Sequence, residues 1–396
     1  MKITDVKTFV VGNPPPHFGG RYWIFLKLTT DSGVSGYGEV YSVPFHPHVV
    51  EQMILDVCRR KVIGADPFKI EQLWRIIYSS GYTQRPDTSL LGILSGIETA
   101  CWDIVGKELD RPVFDLLGGQ VRERLRTYTY IYPAEGDATD VYVDPDLAAQ
   151  RALEYVDQGF TAVKFDPVSP YTAFDPRQLS LEALARAERF VHQIRDAVGN
   201  RCDLLFGTHG QMTPAGALRL AKRLEAADPL WLEEPVPPEM PDEMALVARG
   251  TSIPIATGER LTTKYEFARV LQHKAAAILQ PALGRVGGIL EAKKIAAMAE
   301  SHYVQIAPHL YCGPIEWAAN VQLAACIPNF LILESIQTWG GFHAEILTQP
   351  MQWQDGYILP PRTPGIGVEL NEEVALAHPY TGDLLHLEMT EQPADG

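Results

Sequence analysis

Apolar and polar positions along this chain fall into two textures that meet near residue 122. Before it the signals are mixed. Trp23-Ile-Phe-Leu-Lys-Leu-Thr-Thr, followed by Asp31-Ser-Gly-Val-Ser-Gly-Tyr-Gly, predicts a strand, a turn and a second strand. Leu94, Ile97, Cys101 and Ile104 recur at helical spacing within SGIETACWDIVGKEL and predict a helix with one apolar face. Beyond it, short apolar runs alternate with amphipathic stretches. Eight runs read as strands: 125–131, 161–166, 203–207, 230–234, 254–259, 275–280, 304–309 and 331–335.

The intervening helices carry their own punctuation. Asp144-Pro145 and Thr213-Pro214 supply N-caps with a first-turn proline, Gly159 and Gly199 are stops, and Thr263 with Glu266 fits a capping box. Strand–helix alternation on this scale is α/β, and eight units suit a closed parallel barrel better than an open doubly wound sheet, which stays as the alternative. After residue 350 the alternation stops. Pro360, Pro361, Pro364 and the strand-like GIGVEL predict a tail returning to the N-terminal part. The expected units are therefore 1–122, a (β/α) barrel over 123–350, and a C-terminal segment over 351–396.

Composition narrows the class. No apolar run approaches the roughly 20 residues of a membrane span, and Met1-Lys-Ile-Thr-Asp lacks a secretory signal, so the chain reads as soluble and cytoplasmic. The formal net charge of −15 argues against nucleic acid or an anionic membrane as partner. Five scattered cysteines show no disulfide or zinc spacing and read as reduced structural thiols.

Chemistry concentrates at the strand ends, where the loops of a barrel converge. Strand two ends in Lys164-Phe-Asp166, strand three in Gly207-Thr-His209, strand four in Glu233-Glu234, strand five in Glu259, strand seven in His309 and strand eight in Glu334. Glu233 and Glu259 lie one βα unit apart and should share the rim, where adjacent carboxylates repel unless a cation lies between them. Such an oxygen-rich site suits Mg²⁺, which keeps positions open for water or substrate. Either glutamate alone is as easily a helix-cap partner. GRVGG (Gly284–Gly288) is not a dinucleotide motif, because its glycine spacing is wrong and no acidic residue follows at the right interval.

SGIETACWD with LDRPVFDLLGG, and then LEEP, TGER, QPALGRVGG, APH and PPRTPGIGVELNEE in order, resemble the mandelate racemase and galactonate dehydratase branch of the enolase superfamily across nearly the whole chain. The resemblance implies an N-terminal α+β capping domain over a modified TIM barrel, one Mg²⁺ per site, a small carboxylate substrate and a homo-oligomer. It implies Glu233 and Glu259 as metal ligands, His309 as the base of strand seven, Glu334 beside the substrate carboxylate and His209 as the acid for hydroxide departure.

Two departures stand out. Where the family has an Asp ligand on strand three this chain has Gly207, and where it has the Asp that orients the strand-seven His it has Ala282. Asp166, one strand over at a spacing of about 4.8 Å, is expected to replace the missing carboxylate; Asp203 lies too deep. His309, lacking its usual acceptor, is expected to be a weaker base, and Lys164 is expected to share that role with a lowered pKa. The expected reaction is elimination from an aldonate or aldarate to a 2-keto-3-deoxy acid. The alternatives are racemisation, epimerisation or lactone cycloisomerisation of a similar acid, and, from another class, an acid-binding barrel with a decayed metal site. Substrate contacts are expected from the cap: His17, Arg21, Tyr22 and Tyr82, with His46, His48 and Arg85 as further candidates.

Overall fold

The computed structural model describes residues 1–41 and 44–394. Its N-terminal unit is an antiparallel meander, β1 (Ile3–Gly12), β2 (Tyr22–Thr30) and β3 (Ser35–Val40), covered by helices α1 (Pro47–Val57), α2 (Ile70–Tyr78) and α3 (Thr88–Glu108). The helix α3 lies directly on β3 because two strand positions have no side chain: a Cβ at Gly38 would fall 1.9 Å from the Gly96 carbonyl oxygen, and one at Gly36 2.3 Å from that of Ala100. By length and composition α3 could cross a membrane, although Ser, Thr and Glu interrupt its apolar run. In the folded chain 83% of that apolar window is buried against protein.

The eight strands read from the sequence all form, with shorter bounds: β4 (Leu125–Tyr130), β5 (Ala162–Phe165), β6 (Asp203–Gly207), β7 (Trp231–Glu233), β8 (Ile255–Thr257), β9 (Ile278–Leu279), β10 (Gln305–Ile306) and β11 (Leu333–Ser335). Each pairs in parallel with the next from β4 to β10, and β11 pairs with β4. The ring closes where Ile306 bridges Phe330 and accepts the Leu331 N–H at 2.8 Å. This is an enclosed α/β barrel, and the open-sheet alternative falls.

Caps behave largely as the sequence requires. Asp144 accepts the N–H groups of Asp146 and Leu147, and Thr213 that of Gly216. The expected capping box is displaced by one residue: Thr262 is the N-cap of helix Thr263–His273, and Glu266 accepts its N–H at 2.6 Å and its hydroxyl at 2.9 Å. Thr263 cannot take that role because its φ of 52° is left-handed.

Beyond residue 350 a hairpin of β12 (Trp353–Gln354) and β13 (Tyr357–Ile358) adds antiparallel to β4. GIGVEL forms isolated bridges, not the expected strand: Gly365 pairs with Pro112 and Leu370 with Leu347. The chain then returns to the meander. Glu372 accepts from Lys7 at 2.6 Å, Lys27 at 2.7 Å and the Tyr37 hydroxyl at 2.8 Å, and Pro379 bridges Val11.

Buried acids from the N-terminal unit fasten it to the barrel. Glu98 of α3 accepts the N–H groups of Ile289 at 2.7 Å and Leu290 at 2.9 Å, and Asp103 those of Tyr37 and Ile366. Glu39 of β3 accepts from Gly313 at 2.6 Å and Glu316 at 3.0 Å, at the start of helix Pro314–Cys326. Burial, reinforced by the Glu316 charge, pushes the Glu39 carboxyl up to about 8 despite those hydrogen bonds. An acid whose folded pKa lies above its unfolded one stabilises most below the unfolded value, and that stability is lost as pH rises through the folded one. Glu39→Gln keeps an acceptor without a charge, so it should gain stability relative to the parent, by up to a few kcal/mol, as pH rises from about 4.5 to 8. Denaturant midpoints across that range check this; parallel profiles would refute it.

Candidate active site

A cavity of about 550 Å³ opens at the C-terminal ends of the barrel strands. Its lining includes Lys164 and Asp166 from the β5 end, His209 after β6, Glu259 and Arg260 after β8, Arg285 after β9, His309 after β10 and Glu334 of β11. Glu233 lies just beneath, 1% exposed.

Lys164 organises the floor. Its ammonium lies 2.7 Å from Glu233 Oε1 and 3.7 Å from Glu334 Oε1 while itself 1% exposed. Burial would lower its pKa, but the charges of Glu233, Glu334 and Glu259 outweigh burial and raise it. The expectation of a lowered, base-like Lys164 is corrected: carboxylates, not cations, are its nearest charged neighbours. The other oxygen of Glu233 accepts from the Trp231 indole at 3.0 Å and Gln280 at 2.7 Å. Glu334 accepts the Leu310 N–H at 2.8 Å; its carboxyl is pushed up to about 7, by burial first and by Glu233, against the pull of Lys164.

The two histidines are driven in opposite directions. His209 sits in a left-handed turn with φ 46°, and its Nδ1 is 3.4 Å from Asp166 Oδ2. Burial alone would lower its pKa, yet Asp166 and Glu259 raise it to about 9. His309 Nε2 is 3.2 Å from Glu259 Oε2; burial, with Lys164 and Arg285 nearby, drops it to about 3 against the pull of Glu259. Burial opposes the ionisation of Glu259, but the histidines and Lys164 hold it well below the carboxylate range. Glu259 is therefore held ionised, while burial works against a charge on His309. Ala282 bridges the His309 backbone and offers its ring nothing, and Nδ1 has no hydrogen-bond partner among the described residues.

The turn that carries His209 is clamped from the next strands. Thr208 Oγ1 donates to the Glu233 carbonyl at 2.7 Å, Gly210 N–H to that of Glu234 at 2.7 Å, and Arg260 Nη2 to that of His209 at 2.9 Å. Arg260 is itself held by both oxygens of the buried Glu234. Gly210, with φ 72°, leaves room for this arginine, since a Cβ there would lie 2.3 Å from Nη2.

Gly207 and Asp166 share one space. A Cβ on Gly207 would fall 2.3 Å from Asp166 Oδ1 and 2.9 Å from the Tyr130 hydroxyl, which donates to that same oxygen at 3.2 Å. The Asp166 carboxylate thus occupies the room directly above the end of β6. Among the described residues no three His, Cys, Asp or Glu side chains cluster as they stand closely enough to hold a metal ion, because Glu233 turns to Lys164 and Glu259 to His309.

None of the cap residues expected to touch substrate lines the cavity. Tyr82 and Arg85 are exposed, Arg21 is exposed, and Tyr22 packs at 4.8 Å on the Tyr380 ring. His17 Nδ1 lies 2.6 Å from the Asn13 carbonyl oxygen, and His46 and His48 contact the carbonyls of Gly382 and Tyr380. The C-terminal residues Leu387, Glu388 and Met389 take the place expected for them. Sequence reading also passed over Tyr130 and Tyr132, whose period-two placement with Tyr128 on strand one marks one inward face. Arg285, within QPALGRVGG, also lines the cavity, a place that no local signal in that motif marks.

The chain matches the family model of the mandelate racemase / muconate lactonizing enzyme N-terminal domain over residues 18–118 and that of the enolase C-terminal domain-like family over 147–374. It is 38% identical to a D-galactonate dehydratase of Verminephrobacter eiseniae, covering 95% of this chain and 94% of that one. It is 33% identical to a D-xylonate dehydratase of Haloferax volcanii, covering 97% and 90%. Among solved structures, a mandelate racemase/muconate lactonizing enzyme from a Sulfitobacter species superposes with a TM-score of 0.97 at 52% identity, over the whole of both chains.

Gly207→Ala should force Asp166 and Tyr130 to move and lower stability by about 1–3 kcal/mol, the usual cost of overpacking. A crystal structure of the variant should show the Asp166 carboxylate rotated away; an unmoved Asp166 at parental stability would refute the shared-space reading.

Proposed function

This chain belongs to the mandelate racemase / muconate lactonizing enzyme family of the enolase superfamily, and on that premise we propose that it is a lyase that dehydrates a sugar acid. One observation carries the reading: a single cavity brings together two histidines from different strand ends, His209 3.4 Å from Asp166, whose charge favours the protonated form, and His309, whose burial favours the neutral one. Elimination needs a base and an acid that reach different atoms of the substrate; racemisation needs two such groups on opposite faces of one carbon.

The site fits Mg²⁺. Its carboxylates are hard oxygen donors, each now balanced by a protein nitrogen, and Asp166 stands where β6 lacks a side chain of its own. Asp166, Glu233 and Glu259 would hold the ion, whose charge would stabilise negative charge building on the substrate carboxylate.

The chain's own groups supply the rest. Lys164, protonated and anchored by Glu233 and Glu334, faces the substrate carboxylate and offsets part of its charge. His309, in the tautomer that carries its proton on Nδ1, accepts the α-proton at Nε2 once Glu259 gives up that nitrogen. The electron pair left behind forms the new double bond as the β C–O bond breaks, and His209 protonates the departing hydroxyl, which leaves as water. Arg260 keeps the His209 turn in place. The enol then becomes the 2-keto-3-deoxy acid.

With Mg²⁺, a panel including D-galactonate and D-xylonate should yield such a keto acid. In D₂O, recovered substrate carrying deuterium with no keto product would point to epimerisation instead. His209→Asn should lower kcat by about 10²–10⁴ while the α-hydrogen still exchanges with solvent; His309→Asn should abolish both. Loss of exchange in the first variant would overturn these roles.

The carboxylate replacement has its own test. By calorimetry, Asp166→Ala should weaken Mg²⁺ binding by at least about tenfold, as loss of an ordered charged ligand does, and the double variant Asp166→Ala/Gly207→Asp should recover part of it. No Mg²⁺ binding by the parent would sink the proposed site.

A further inference from the structure

Resting on the dehydratase reading, we propose that Glu388 selects against a second carboxylate, so that the site takes aldonates, which end in a hydroxymethyl group, over aldarates, which end in a carboxylate.

Glu388 is held in place by the fold. The tail after Pro379 crosses from the cap to the barrel and is fastened on both sides of this residue. On one side His386 is buried, with Nε2 2.7 Å from the Tyr311 carbonyl oxygen and Nδ1 3.2 Å from that of Tyr22. It fits only because Gly20 has no side chain: a Cβ there would lie 1.8 Å from the imidazole. On the other side Thr390 bridges Thr172, and its carbonyl accepts the Ala173 N–H at 3.0 Å. Three residues span these anchors, and all three line the cavity. A segment this short, fixed at both ends, has little freedom to withdraw its side chains.

Cations in the lining stand only at the barrel end, among Asp166, Glu259 and Glu334, and the exposed mouth has none. The lining cations Lys164, Arg260, Arg285 and the protonated His209 all come from the barrel ends, and Lys164 is at the buried floor. The exposed part of the lining is Asp140, Tyr142 and Pro170 with the strap residues, so its charges are those of Asp140 and Glu388. A monocarboxylate places its acid group inward, toward Lys164, and its polyol outward. A dicarboxylate must place its second anion at the exposed mouth, where the charges of the lining are those of Asp140 and Glu388. Arg21, the cap residue whose charge would suit a distal carboxylate, is exposed and outside the lining.

The test compares D-galactonate with D-galactarate, which differ only at the far carbon, using the magnesium-loaded full chain. Calorimetric Kd values and kcat/KM are measured for the parent, Glu388→Gln, Glu388→Lys and Arg21→Ala. The parent should favour galactonate by about tenfold or more, the scale of one like-charge contact at a partly solvated site. Glu388→Gln should narrow the ratio about fivefold or more, and Glu388→Lys should narrow it further or invert it. Arg21→Ala should leave the ratio unchanged. A ratio unmoved by both Glu388 variants, a parent favouring galactarate, or no binding of either acid overturns the assignment. Selective binding without keto acid formation would uphold the strap's role while refuting dehydration, so the two failures are distinguishable.

Discussion

The site depends on one buried charge, the ammonium of Lys164. Four carboxylates converge on this end of the barrel, Asp166, Glu233, Glu259 and Glu334, and three of them raise the lysine's affinity for its proton. Removing such an ion from water costs several kcal/mol, a penalty that only close opposite charge offsets. Lys164 and the acids around it therefore hold one another in place: without the lysine, Glu233 would keep only its neutral donors, Trp231 and Gln280. The same local excess of negative charge raises the pKa of His209, while burial, with the charges of Lys164 and Arg285, lowers that of the less exposed His309. Acid and base thus follow from position in one electrostatic field.

That field needs an enclosure that keeps water out, and three separate parts of the chain provide it. Barrel strands bring the reactive groups together. The N-terminal unit covers them, and its grip comes from buried acids, Glu39, Glu98 and Asp103, spent on backbone N–H groups of the barrel and the tail. These acids explain part of the motif SGIETACWD: Glu98 and Asp103 act as fasteners between units, and Ser95 accepts the Gly287 N–H for the same purpose. The tail completes the wall, threading His386 between cap and barrel so that residues 387–389 close the rim.

Much of this could be read along the chain because it is periodic or local. Alternation of short apolar runs with amphipathic helices marks eight strands, and residues at the strand ends must converge once the barrel closes, whatever the loops do. Lys164, Asp166, His209, Glu259, His309 and Glu334 were legible on that ground alone. Caps such as Asp144 and Thr213 are decided by neighbours a few residues away and were legible too.

What the sequence could not decide is whatever depends on contacts between distant segments. The protonation of Lys164 and the two histidines is set by carboxylates up to 170 residues away in the chain, as with Glu334. Asp166 and Gly207 share one space only because β5 and β6 lie in register. The cap residues His17, Arg21, Tyr22 and Tyr82 had the right chemistry for substrate and the wrong location, since a tail with no periodic signal fills the rim ahead of them. Periodicity fixes which way a strand or helix faces; packing alone decides which of two polar segments reaches a cavity, because that choice is made by shape and charge in three dimensions.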